Sequence, residues 1–126
     1  MASTLAPWLL CLAVLVGLAA SANAKGEISP DVAAKLSSQG ALLIDVRTPQ
    51  EFNAGHLATA QNIEYQAIAT LLPKQLTDKT QPIVLYCRSG RRAEIAKQAL
   101  QQLGYSDVVN AGGYAELKEA FAAATK

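Results

Sequence analysis

At 126 residues and a formal net charge of +1, the chain holds one domain of modest size and exerts no general attraction on nucleic acid or membrane surfaces. Strong positive character has to be local. One histidine and two cysteines cannot fill a tetrahedral metal site, and no glycine pattern fits a nucleotide loop, so neither a metal nor another cofactor is expected.

Residues 1–24 contain no charged side chain. "WLLCLAVLVGLAA" is an apolar run of signal-peptide length, and "SANA" supplies the small-x-small pattern of a cleavage site. The run falls short of the ~20 apolar residues that span a bilayer. Residues 1–24 therefore read as a secretory signal peptide cut after Ala24, leaving 25–126 as a single periplasmic or secreted domain without stable membrane insertion. The usual positively charged start is missing, which makes an uncleaved N-terminal anchor the alternative. Cys11 leaves with the peptide, so Cys87 is the lone cysteine of the exported part and no internal disulfide is possible. By count alone it is a reactive thiol, an intermolecular bridge, or a small buried hydrophobe at a strand end.

Beyond the cut, "SPDVAAKLSSQG" opens with Ser29 as N-cap and Pro30 at the first helical position, and Gly40 stops it. "ALLIDV" is an apolar run of strand length. "TPQEFNAG" repeats the helix-start grammar with Thr48, Pro49 and a closing Gly55. "YQAIATLLPKQL" reads as a helix interrupted at Pro73, and "PIVLYC" as a second strand. The longest helical pattern starts near Arg91 or Arg92, has a stripe of Ile95, Ala96, Ala99, Leu100 and Leu103, and ends at Gly104. "SDVVNA" is a third strand, and "YAELKEAFAAA" a final helix. Continuous apolar strands separated by helices predict an α/β domain, a central parallel sheet with helices on both faces.

In such a sheet, ligands gather beyond the carboxyl ends of the strands, where Cys87 falls. The helix that follows offers unpaired backbone N–H groups and a partial positive charge, and Ser89 and Gly90 let the backbone curl into an anion-binding nest. Arg88, Arg91 and Arg92 add full charges that favour thiolate over thiol. Arginines at a helix N-terminus oppose its dipole, so an anionic visitor explains them better than a solvated helix start. Arg92 lies five positions after Cys87, one short of the loop that wraps a phosphoryl group. A smaller guest fits: one sulfur atom carried as a persulfide, taken from a small anionic donor such as thiosulfate and removed by cyanide or a thiol.

"LLIDVRTPQEFNAGHLATAQNI", "VLYCRSGRRA" and "LGYSDVVNAGGYAEL" together resemble the rhodanese family, over about residues 28–120. The resemblance implies the rhodanese fold, sulfurtransferase activity, Cys87 as persulfide-bearing nucleophile, and Arg88, Ser89, Gly90, Arg91 and Arg92 as the substrate cradle. It also implies a supporting role for Asp45 and Arg47, with Arg47 paired to Glu51, and a structural turn at His56. Ala58-Thr59 stands where the family commonly has a Pro-Gly-like pair, and Leu117 where an aromatic residue is common. The expected protein is a monomer serving a sulfur donor and acceptor. Its alternative is a non-catalytic persulfide carrier serving a partner protein.

Overall fold

The computed structural model describes residues 27–124, and the signal-peptide reading lies outside them. Helix α1 (Pro30–Ser38) starts as its caps dictate, with the Ser29 hydroxyl accepting from Val32 N. Strand β1 (Leu42–Asp45) leads to α2 (Pro49–Ala54), which is fixed by a full capping box between Thr48 and Glu51. Then come β2 (Gln61–Asn62), α3 (Ile68–Gln75), β3 (Ile83–Cys87), α4 (Arg91–Gln102), β4 (Val108–Gly113) and α5 (Tyr114–Ala124).

The strands form one parallel sheet in the order β2-β1-β3-β4. Alternate side chains of β1 and β3 feed two cores. Ile44, Ile83, Leu85 and Cys87 pack with Ile68 and Leu72 of α3 and Ala93, Ala96 and Leu100 of α4. Leu43, Val84 and Tyr86 pack on the opposite face with Ala33 of α1 and Leu117 of α5. Helices therefore cover both faces, as the unbroken apolar strands require. Each fully buried Leu or Ile contributes about 1.5–3 kcal/mol relative to exposure.

Three local expectations are corrected. Helix α3 starts at Ile68 and runs through Pro73 to Gln75. Proline removes one backbone donor there, but burial of Ile68 and Leu72 outweighs that loss. The buried face of α4 is Ala93, Ala96 and Leu100, while Ile95 is 50% and Leu103 40% exposed. Ile95 lies more than a third of a turn off that face, at about 100° per residue. Strand β2 was absent from the apolar pattern because its two residues are polar and owe their conformation to pairing with Ile44 and Asp45.

Candidate active site

After β1 the chain turns to β2 on one side, and after β3 it turns to β4 on the other. The crevice between the carboxyl ends of β1 and β3 is thus the topological switch point of the sheet, where ligands bind in this architecture. Cys87 closes β3 at that point.

The residues after Cys87 fold back over it. Gly90, the N-cap of α4, adopts φ 95°, and its N–H donates to Cys87 Sγ at 2.9 Å. A side chain at residue 90 has no room: its Cβ would run into the Glu27 carboxylate and lie 3.3 Å from Gly112 Cα. At Gly113 a Cβ would sit 2.5 Å from the Arg88 carbonyl oxygen. The loop is therefore pressed onto the end of β4, where a register irregularity opposite Leu85–Cys87 brings Gly113 beside Cys87.

Cys87 is 0% exposed. The sulfur is buried as a small hydrophobe would be, and it accepts a hydrogen bond from a main-chain donor. Approach of a reagent requires the loop or its neighbours to move.

The charged residues divide into two groups. Arg92 grips Glu51 through two hydrogen bonds, Nη1 to Oε1 at 2.9 Å and Nη2 to Oε2 at 3.1 Å. That grip holds the Glu51 carboxyl down at about 2 and raises the Arg92 guanidinium, whose charge also feels Cys87. Arg47 pairs with Asp45 at 2.7 Å, donates to the Gly55 carbonyl at 2.7 Å, and lies 4.6 Å from the centre of the Tyr114 ring. Burial is the largest single influence and works against the Arg47 charge, but the hydrogen bond and charge of Asp45, with Tyr86 and Glu51, together outweigh it, and the guanidinium holds its proton more tightly. The expected Arg47–Glu51 pair is corrected: Asp45 is two residues away on the same strand end and meets the guanidinium first. Arg88, Ser89 and Arg91 are exposed. Arg88 borders a cleft of about 350 Å³ together with Arg47, Glu51, Ala54, Tyr114 and Ala115. Neither Arg88 nor Arg91 has an ion pair among the described residues.

His56 stacks on Phe52 at 3.6 Å, and its Nδ1 hydrogen-bonds to the Phe52 carbonyl at 2.7 Å, which makes it part of a turn. That turn closes through Ala60 N and the Leu57 carbonyl, leaving Ala58 and Thr59 exposed. Leu57 N donates to the Tyr86 hydroxyl at 3.1 Å, and burial pushes the Tyr86 phenol well above its ordinary range. No group of acidic, His and Cys residues among the described residues is arranged to hold a metal. No helix among them is long and apolar enough to cross a membrane.

Asn110 is a residue of this site that the apolar strand pattern passes over. It is 1% exposed and reaches from β4 to the Gly90 carbonyl at 2.9 Å. An amide inside an otherwise apolar strand is the signal that could have found it.

A parallel sheet with a cysteine loop at its switch point defines a class of thiol-bearing α/β domain, and comparison with known proteins narrows it. The Rhodanese-like domain family matches residues 29–120, and the chain belongs to it. The chain is 34% identical over 74 residues to the thiosulfate sulfurtransferase PspE of Escherichia coli K12, covering 59% of this chain and 71% of that protein. It is 36% identical over 90 residues to the thiosulfate sulfurtransferase GlpE of Pseudomonas syringae, covering 71% and 83%. Among solved structures, a rhodanese with anions from E. coli superposes with TM-score 0.59 at 32% identity, covering 61% of this chain and 91% of that one. The human single-domain sulfurtransferase TSTD1 gives 0.63 at 26% identity, covering 75% and 96%. These relatives support sulfurtransferase chemistry in general for this chain.

Proposed function

We propose that the protein moves a sulfane sulfur from thiosulfate, or a similar small anionic donor, to cyanide or a thiol through a persulfide on Cys87. The observation that carries this reading is the Gly90 N–H aimed at Cys87 Sγ at 2.9 Å, at the switch point of the sheet. The Cys87 thiolate attacks the outer sulfur of thiosulfate; the new S–S bond forms as the old one breaks, and sulfite leaves with the electron pair. Cyanide then attacks the outer sulfur of the persulfide, giving thiocyanate and returning the thiolate.

Arg88 and Arg91 serve the donor, since both are exposed and neither is ion-paired among the described residues. Arg92 acts as a brace for the loop, because Glu51 occupies its fork. Asp45 and Arg47 support the crevice from the end of β1. The occupied Arg92 fork also weighs against phosphoryl transfer, which would need that guanidinium on the substrate.

Mass spectrometry after thiosulfate treatment tests the reading. One extra sulfur on Cys87, removable by cyanide and missing in Cys87→Ser, is expected; an unmodified wild-type cysteine refutes it. The complete burial of Cys87 favours one second reading, a persulfide carrier whose acceptor is a partner protein. Such a carrier loads sulfur but gives negligible steady-state turnover with free cyanide. The same proposal places the mature monomer in the periplasm or outside the cell, which N-terminal sequencing of the exported protein checks by finding Lys25 first.

A further inference from the structure

Gly90 has no side chain of its own to fix it, and its left-handed backbone carries the N–H that, among the described residues, hydrogen-bonds to the sulfur. What fixes it from outside the loop is Asn110. The Asn110 Nδ2 donates to the Gly90 carbonyl at 2.9 Å and to Glu94 Oε1 at 3.1 Å, while its Oδ1 accepts from Gly112 N at 2.9 Å. One buried amide thus ties the end of β4, the start of α4 and the cysteine loop together. Burial makes each of these bonds costly to lose, because an orphaned amide group finds no water there.

The geometry points to Asn110 as a positioning residue for the sulfur. It acts through Gly90: with Glu94 N, which also donates to that carbonyl at 3.0 Å, it holds the Gly90–Arg91 peptide, and from this anchored plane the φ of 95° at Gly90 directs the Ser89–Gly90 N–H at Cys87 Sγ. A donor aimed at sulfur favours the thiolate over the thiol. The inference rests on Cys87 being the nucleophile, and adds to that reading the residue that keeps it primed.

Other charged and titratable groups lie around this contact, some only through Arg92, whose charge feels Cys87, Glu51 and Tyr65. Arg92 and Glu94 come from α4, Glu51 from α2, Tyr65 from the turn before α3, Glu27 from the segment before α1, and Glu116 from α5 beside Gly113. Of these, Glu27 pairs with Asn110 through the backbone and Glu94 touches its side-chain amide, so Glu94 needs its own control.

The experiment is the pH profile of Cys87 alkylation by iodoacetamide in Asn110→Ala, Asn110→Asp and Glu94→Gln. The aspartate keeps an acceptor for Gly112 N but cannot donate to the Gly90 carbonyl. Asn110→Ala is expected to move the midpoint up, as loss of one well-aimed donor to a charged group predicts, and is the deciding variant, because the added charge of Asn110→Asp opposes a thiolate by itself. Glu94→Gln keeps an oxygen for Asn110 and is expected to leave the midpoint in place. The midpoint is read in preference to the rate, since a loosened loop would itself speed access to the buried sulfur. In the wild type, the Asn110 side-chain amide and the Gly90 N–H should shift in NMR spectra with that same midpoint, which decides the matter if a variant does not fold. A folded Asn110→Ala variant with the wild-type midpoint, or an Asn110 amide silent through the titration, overturns the inference. Sulfur loading from thiosulfate is measured separately on the wild type, so failure of the transfer reading leaves this result intact.

Discussion

Glu51 shows how one carboxylate can decide the roles of several arginines. It takes both arms of the Arg92 fork, while Arg88 and Arg91 have no ion pair among the described residues. Its carboxyl falls from an ordinary 4.5 to about 2, so the stability it contributes is complete above pH 4.5 and is lost as the pH drops toward 2. Both side chains are about a quarter exposed, at 26% and 25%, which limits the contribution to about 1 kcal/mol. Urea melts should show Glu51→Gln less stable than wild type at about pH 6, with the gap narrowing as the pH falls from 4.5 toward about 2, where the wild-type carboxyl becomes about half protonated. A constant gap across that range would mean that shape, and not charge, sets the value of the contact. Gly90 offers a sharper case. Gly90→Ala places a methyl group against the Glu27 carboxylate and forces a left-handed backbone on a residue with a Cβ. We expect a cost of about 1–3 kcal/mol and at least tenfold slower sulfur loading, as the N–H swings off the sulfur. Loading at the wild-type rate in a folded Gly90→Ala protein would remove that N–H from the mechanism. The sequence marks Cys87 and Gly90, because a cysteine at a strand end followed by Arg-Ser-Gly is a local pattern. Which arginine Glu51 takes is a matter of distance across 41 positions, and only folding supplies it.

At the scale of elements, legibility follows how local the cause is. Helices α1 and α2 begin where Ser29-Pro30 and Thr48-Pro49 say they should, since a cap and its helix lie within one turn. The three apolar strands are equally plain. Strand β2 and the inward face of α4 are not, because each depends on what packs or pairs with it. Pro73 carries the same lesson. Helix α3 keeps going past it because Leu72 and its neighbours are anchored in the core, and Leu76 N still bonds to the Leu72 carbonyl at 2.9 Å. The helix therefore tolerates a residue that its own propensity opposes by about 3 kcal/mol, part of which the stiffer unfolded chain returns. Pro73→Ala should stabilise the protein by about 1–2 kcal/mol without changing sulfur transfer, as read from paired melts and steady-state rates. A destabilised Pro73→Ala would show that the proline ring is itself packed into place.

At the scale of the molecule, charge is the property that the site and the whole chain do not share. A net charge of +1 gives a dianionic donor no long-range pull. Near the sulfur, Asp45 cancels Arg47 and Glu51 cancels Arg92, so what remains is the field of Arg88 and Arg91 on the exposed side of the loop. That field acts over about one Debye length, ~10 Å at 0.1 M salt and ~3 Å at 1 M. KM for thiosulfate should therefore climb several-fold between these salt concentrations while kcat holds, because salt screens the approach of the donor and leaves the buried Gly90–Cys87 contact alone. Arg88→Ala should raise KM at low salt and flatten the dependence. Arg92→Ala should instead lower kcat, since it frees Glu51 to bring an unpaired negative charge beside the loop. If Arg88→Ala keeps the full salt slope, the donor is being steered by a surface other than the Arg88 cleft, and the division of labour among these arginines is wrong.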